Sequence, residues 1–449
     1  MRASTRGRRL RSTPRPRDRR DQLAAIAADL FRRNGYHNVG VNDIAAAAGI
    51  TGPAVYRHFP SKQAILGHVV LAGLDRFTAV ITAAMEDSAD ATPAAHLQVL
   101  AASISRLVVE RRDLGALWRR EGRNLPAADR AALALLARRA TRFGVHVIQR
   151  VRPDLSDVDA DLLCWAILSV YGSVSEHQVS LPRARFERLL TELALTVAAC
   201  PAVPTPSDGI SHPYGRVAGP DTGDTDAYGR VGGVDTGDTD AGGRVARVDT
   251  GHTDARRPVP RREQLLTLAA RMFCEHGFHA VTMEGIGAAA GISGPSIYRH
   301  YASKADLLVA MCGRVADRLR TGVDTALDGT LAPPDALRAL ATSFVDTVLD
   351  HRDLVAAYLM EGDNLPDRDR TELRRLQRAY LTEWVSALVA SHPTIDEKCA
   401  RVRVHAAFTV VNDLARDGRF AERPGLAGEL VELAMSVLVP AAETPVHPQ

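Results

Sequence analysis

Tyr56, Arg57, His58 and Lys62 offer a phenol, a guanidinium, an imidazole and an ammonium within seven residues, and Tyr298, Arg299, His300 and Lys304 repeat the set 242 residues later. Such donors suit phosphate oxygens, which position a protein on a polyanion without selecting a sequence. Their neighbours suit selection. Arg is the commonest bidentate partner of guanine, Asn pairs with adenine, and an Ala methyl can meet the methyl of thymine, which points to Arg57, Asn42 and Ala54. Glu284 stands where the first set has Asn42 and would accept from cytosine or repel phosphate, so the two surfaces should prefer different sites. Gly52 and Pro53, with Gly294, Pro295, Ser296 and Arg299, complete the base-facing candidates, and Thr51, Ser293 and Thr282 place hydroxyls at expected helix starts. No Gly-rich phosphate loop, catalytic carboxylate pair or nucleophile motif accompanies them, so an enzyme is not expected, nor a cofactor.

Charge supports the same contact. The 449 residues carry a net charge of only +3, yet residues 1–62 hold thirteen Lys/Arg against four Asp/Glu, and residues 256–304 hold seven against three. Two short basic segments in an otherwise acidic chain are the footprint of a protein that touches a polyanion at two places. Residues 1–20 alone contain nine Arg and one Asp, an arm suited to a minor groove or equally to a solvated tail.

The two segments belong to an internal repeat. IAAAAGITGPAVYRHFPSK (44–62) and IGAAAGISGPSIYRHYASK (286–304) agree at thirteen of nineteen positions, and RRDLGALWRREGRNLP (111–126) matches HRDLVAAYLMEGDNLP (351–366) at a spacing of 240. Each copy therefore covers about 180 residues, which makes the chain a tandem duplication. Each begins with a helical stripe, Leu23, Ile26, Ala27, Leu30 and Phe31 or Leu265, Leu268, Ala269, Met272 and Phe273. Gly35 and Gly277 should stop that helix. A short helix over Val41–Ala48 or Met283–Ala290, a turn at Gly49 or Gly291, and a third helix ending near Phe59 or Tyr301 follow. Ser61 and Ser303 should cap a long fourth helix. Three short helices with a glycine turn describe a helix-turn-helix DNA reader.

The run I-A-x-x-A-G-[IV]-[TS]-x-x-x-[VIL]-Y-x-[HY]-[FY]-x-x-K resembles the DNA-binding signature of TetR/AcrR-type transcriptional regulators, and it occurs twice. The tandem layout is similar to a small class of double TetR-type repressors of lipid-transport operons. The resemblance implies an all-α fold of two units, each a three-helix DNA-binding domain on a larger helical domain for effector binding and dimerisation. It further implies a sequence-specific, ligand-responsive repressor whose partners are a double-stranded DNA operator and a small apolar or amphipathic effector. The two copies would pair as an internal pseudo-dimer through their last two helices, with further homodimerisation left open. Copy one departs from the pattern at Gly40, where Thr282 of copy two supplies the usual cap hydroxyl. A second reading keeps copy one as the only DNA reader and makes copy two a dimerisation or sensing module.

We expect an Arg-rich arm over 1–19, readers over 20–65 and 259–307, helical domains over 66–200 and 308–440, and a linker over 201–258. The linker lacks Leu, Met, Phe and Trp and repeats a 14-residue unit from Gly215, Gly229 and Gly243. Its aspartates lack EF-hand spacing, so a solvated coil with ends about 40 Å apart is expected. That compares with ~34–36 Å between successive major grooves on one face of DNA. In the helical domains Leu114, Trp118, Glu121 and Leu125 share a face, as do Leu354, Tyr358, Glu361 and Leu365. Trp118, Glu121, Tyr358 and Glu361 could line an effector pocket, but an ion pair of each glutamate with an Arg of a later helix is the favoured reading. Trp165, Ile167, Val170 and Tyr171 suit core or interface. No uninterrupted apolar run approaches the ~20 residues of a membrane span, and the Arg-rich start has no apolar core of a secretory signal. Five widely spaced cysteines suit reduced thiols in a cytoplasm, not disulfides or a metal site.

Overall fold

The computed structural model describes residues 16–87, 91–112, 115, 122–201 and 260–440, which contain helices and no strand. Residues 1–15 of the expected arm, residues 202–258 of the linker, and Leu114, Trp118 and Glu121 lie outside them, whereas residues 16–19 of the arm form the start of the first helix. Helix α1 (Pro16–Asn34) buries Leu23, Ala27 and Phe31 on one face. It ends where expected, because Gly35 adopts φ +78° while its N–H still closes on the Phe31 carbonyl at 2.9 Å. Then come α2 (Val41–Ala47), α3 (Gly52–Tyr56) and α4 (Lys62–Asp87). Their shared core is Leu23, Phe31, Ile44, Val55, Phe59, Ile65 and Leu66, all essentially buried. Helix α4 is long and apolar enough to cross a membrane by length and composition. Asp75 and Arg76 interrupt it, and Ile65, Leu66, Val69, Val70, Leu74 and Ile81 are buried inside the protein.

Copy one continues through α5 (Pro93–Glu110), a 3₁₀ turn (Gly122–Asn124), α6 (Ala127–Val151), α7 (Asp157–Ser173) and α8 (Arg183–Ala198). Copy two repeats the order as α9 (Arg261–His276), α10 (Met283–Ala289), α11 (Gly294–Ile297), α12 (Lys304–Ala326), α13 (Pro333–Asp350), α14 (Arg352–Met360), a 3₁₀ turn (Gly362–Asn364), α15 (Asp367–Ser391), α16 (Glu397–Arg416) and α17 (Leu426–Leu438). The 3₁₀ turns end at Asn124 and Asn364, and the following Leu125 and Leu365 are buried.

The chain divides into two compact units. One contains copy one together with residues 318–350 and 374 onward of copy two. Within it α7 packs on α16 and α8 on α17, so the closing helices of both copies share a bundle. Val170 and Tyr171 are core, and the Tyr171 hydroxyl donates to the Ala101 carbonyl. Trp165 is only partly buried, and the Arg419 guanidinium lies 4.7 Å over its ring. An aromatic group of Phe344, Tyr380, Trp384 and Phe408 fills the copy-two side, where copy one has Ile104, Ala140, Gly144 and Leu168. The other unit holds the second reader with α14 packed on α9. All five cysteines are free thiols, and burial pushes Cys164 and Cys312 up to about 12.

Candidate nucleic-acid interface

Each reader is built from a recurring brace. We expected Lys62 and Lys304 at phosphate, but their ammonium groups turn inward. Lys62 donates to the Tyr36 and Val39 carbonyls at 2.9 and 3.0 Å and lies 4.2 Å from the Tyr36 ring centroid. Lys304 donates to the Phe278 and Val281 carbonyls and lies 4.5 Å over the Phe278 ring. The lysine at the start of the fourth helix thus pins the loop between the first two. Burial pulls Lys304 below its ordinary range, and the Glu361 carboxylate pulls the other way. A second brace comes from α1 and α9: Arg20 caps the Phe59 ring at 4.9 Å, and Arg262 caps Tyr301 at 4.7 Å. The aromatic residues Tyr36 and Phe278 were missed in the sequence. Their signal was present, an aromatic and a His directly after the helix-stopping glycine in both copies.

On these braces sits the helix-turn-helix. Gly49 at φ +66° and Gly291 at φ +67° make the turn, a conformation that costs an L-residue free energy. Val55 and Ile297 point into the core. Asn42, Thr51, Pro53, Tyr56 and Arg57 stand exposed together, and Glu284, Ser293, Pro295, Tyr298 and Arg299 do so in copy two. Gly52, Ala54, His58, Ser296 and His300 are half-buried at the edge of this face. Gly52 is bounded by the Asn42 amide, since a Cβ there would meet Asn42 Oδ1 at 2.5 Å. The third helix is shorter than expected, ending at Tyr56 or Ile297. Beyond it the His58 and Phe59 amides both close on the Val55 carbonyl and tighten the last turn.

Capping follows the sequence in part. Ser61 and Ser303 accept from the Ala64 and Asp306 amides, and Thr282 Oγ1 accepts from Gly285 N at 3.0 Å. Copy one, with Gly40, uses the opposite arm: Gly40 N donates to Asp43 Oδ2 at 2.7 Å. Thr51 and Ser293 occupy N-cap positions without a side-chain bond to the backbone, and Ser293 Oγ pairs with Ser296 Oγ at 2.7 Å. The readers differ most at Glu284. Its carboxylate accepts from the Tyr298 hydroxyl at 2.9 Å. A backbone hydrogen bond and that hydroxyl hold Glu284 below the usual carboxylate range, so reader two carries a fixed negative charge on its exposed face.

In copy one the body reaches the reader through the repeated turn segment. His37 Nε2 bonds Asn124 Oδ1 at 3.1 Å, and Gln63 donates to the Asn124 carbonyl at 3.3 Å. In copy two, α14 lies against α9, and the Cys274 thiol donates to the Asp353 carbonyl. Tyr358 and Glu361 are buried, and a Glu361 oxygen accepts from Asn364 Nδ2 at 2.6 Å in its own turn. The Arg of the following helix, Arg370, donates to the Asp363 carbonyl and pairs with Asp367. Trp118 and Glu121 lie outside the described residues.

Residues 23–69 and 265–311 both match the family described as bacterial regulatory proteins, tetR family. The chain is 29% identical to the HTH-type transcriptional activator FasR of Mycolicibacterium smegmatis over 164 residues, which are 36% of this chain and 74% of that protein. It is 30% identical to the HTH-type transcriptional repressor KstR2 of Rhodococcus jostii over 168 residues, 37% of this chain and 81% of the relative. A TetR-family regulator from Bordetella parapertussis superposes with a TM-score of 0.37 at 23% identity, covering 39% of this chain and 94% of its own. Each of the two relatives thus matches about one copy. With two matched readers, each carried on helices, the chain belongs to the TetR family of DNA-binding transcription regulators.

Proposed function

We propose that this chain closes on itself and presents two unequal readers to one asymmetric operator, as a ligand-responsive repressor in the cytoplasm. A helix-turn-helix protein ordinarily needs two subunits to place two readers on successive grooves. The packing of α7 and α8 on α16 and α17 within one chain is the observation that carries this reading. Tethering through the linker holds each copy at roughly millimolar effective concentration for the other.

In this reading Tyr56, His58, Tyr298 and His300 touch phosphates, while Asn42, Gly52, Pro53, Ala54 and Arg57 face bases in one half-site. Glu284, Gly294, Pro295, Ser296 and Arg299 face bases in the other. The neutral Asn42 and the charged Glu284 favour different half-sites, which supports asymmetry. The similarity to the repressor KstR2 supports repression. The link from Asn124 to His37 and Gln63 gives an effector in the helical body a route to reader one. An effector acts by favouring a reader arrangement that the operator does not fit.

Selection of bound fragments from random DNA, followed by hydroxyl-radical footprinting of the full chain, tests the proposal. Two protected half-sites of different sequence, about one helical turn apart, are expected from one chain. A strict palindrome still bound after Arg299→Ala would overturn it and leave copy one as the only reader.

A further inference from the structure

We infer that the pairing face is sorted by charge, so that each copy accepts the other kind and rejects its own. The inference rests on the internal pairing proposed above and goes beyond it to the partner that each face selects. An ordinary twofold interface makes every contact twice, once in each direction. Among the described residues, four ionic contacts join the copies. Arg423 pairs with Asp159, Arg403 with Glu192, Arg419 with Asp161 at 3.0 Å, and Arg185 with Asp396. In three of them copy one gives the carboxylate and copy two the guanidinium. Arg403 is 5% and Arg423 15% exposed at the side chain, so both depend on their partners. Each also holds a second acceptor, Val437 O for Arg403 and Glu429 for Arg423.

The spacing of 240 shows what self-pairing would do. Helices α7 and α16 are in register at that spacing, since Ser156 and Asp396 cap them from equivalent positions. Asp159 therefore corresponds to Cys399, Asp161 to Arg401, Arg403 to Leu163, Asp396 to Ser156 and Glu192 to Glu432. If copy one met another copy one, Glu192 would face Leu163 and Arg185 would face Ser156. If copy two met another copy two, Arg423 would face Cys399 and Arg419 would face the like-charged Arg401. Two of these contacts would find a replacement: Arg403 would meet Glu432 in a copy-two pair, and Asp159 would meet Arg183, the counterpart of Arg423, in a copy-one pair, whereas the other contacts would be lost. Self-pairing leaves desolvated charges without partners, the form in which specificity against a wrong mate is commonly built. The favoured mate of copy one is a copy-two face, on its own chain or on a second one.

The test uses full-length chains. One variant carries Asp159→Lys, Asp161→Lys and Glu192→Lys; the other carries Arg403→Glu, Arg419→Glu and Arg423→Glu. Neither should close within itself, because the first has two basic faces and the second two acidic ones. Each alone should lose the compact single-chain species and melt at lower temperature than the parent. Co-expressed with one tagged, they should be recovered in equal amounts at twice the chain mass by light scattering. Absence of that species overturns the charge sorting, and so does either variant pairing with itself. If both variants alone keep the parent's melting temperature and compact single-chain size, the charge sorting fails; if the parent itself is extended in small-angle scattering, the internal pairing fails. No DNA enters the measurement, so failure to bind an operator leaves this test intact.

Discussion

A lysine that grips a phosphate and a lysine that braces a loop answer differently to salt. Losing a phosphate contact lowers the slope of log affinity against log salt by about one. Lys62 is turned onto the Tyr36 and Val39 carbonyls, so Lys62→Met should weaken DNA binding while leaving that slope unchanged. The loss should trace to about 2 kcal/mol of local stability, the scale of hydrogen bonds from a charged donor. Titrations at several salt concentrations measure the slope, and a drop of one would assign Lys62 to phosphate instead. At the matching face of reader two, Glu284→Gln removes a negative charge beside Tyr298. Binding should tighten several-fold, and the preference of that half-site should move, as read by repeating the fragment selection. Gly52→Ala should displace the Asn42 amide and relax base preference at one position of the first half-site only.

Among elements, the readers were legible in the sequence because their signals are local. Gly35 stops α1, Gly49 turns the chain, and Thr282 caps α10, each through backbone groups within five residues. The end of α3 was misjudged because Phe59 and Tyr301 read as helical by spacing. In fact they are core residues that follow a tightened turn. Tyr36 and Phe278 escaped because the lysines that cover them lie 26 residues away. The ionic face was illegible for the same reason at greater range, since Asp159 and Arg423 are 264 residues apart and no local pattern pairs them. Thr282→Ala should destabilise reader two by about 1 kcal/mol. Faster hydrogen exchange of the Gly285 amide, with no change in reader one, checks it. Gly40→Ser should return part of that amount to copy one, provided the Asp43 carboxylate shifts from a Cβ that would lie 3.3 Å away.

For the whole molecule, the same face carries a titration. His177 of copy one and His405 of copy two lie with ring centroids 4.7 Å apart and planes tilted by 32°. His177 Nδ1 accepts from the Val179 amide at 3.1 Å, which keeps the ring proton on Nε2. Burial, the neighbouring His405 and Arg112 push His177 down to about 3. Burial chiefly pushes His405 down to about 4, with Glu176 opposing and Arg401 assisting. Both imidazoles are therefore neutral when folded, whereas an unfolded chain protonates them near pH 6.5. Stability is full above that pH and falls as pH drops from about 6.5 towards 4, by up to ~1.4 kcal/mol per pH unit for each ring. Chemical denaturation at a series of pH values should show the decline, and His405→Gln should flatten it. A curve unchanged by that substitution would remove the pair from the account.

The guanidinium of Arg419 over Trp165 gives the seam an optical signature of its own. Trp384 is fully buried among aromatic rings of copy two, whereas Trp165 loses its cover once the copies part. In a Trp118→Phe background, emission from Trp165 should shift to the red at denaturant concentrations where Trp384 still emits in the blue. The molecule thus reports its own opening in two colours, without any label attached.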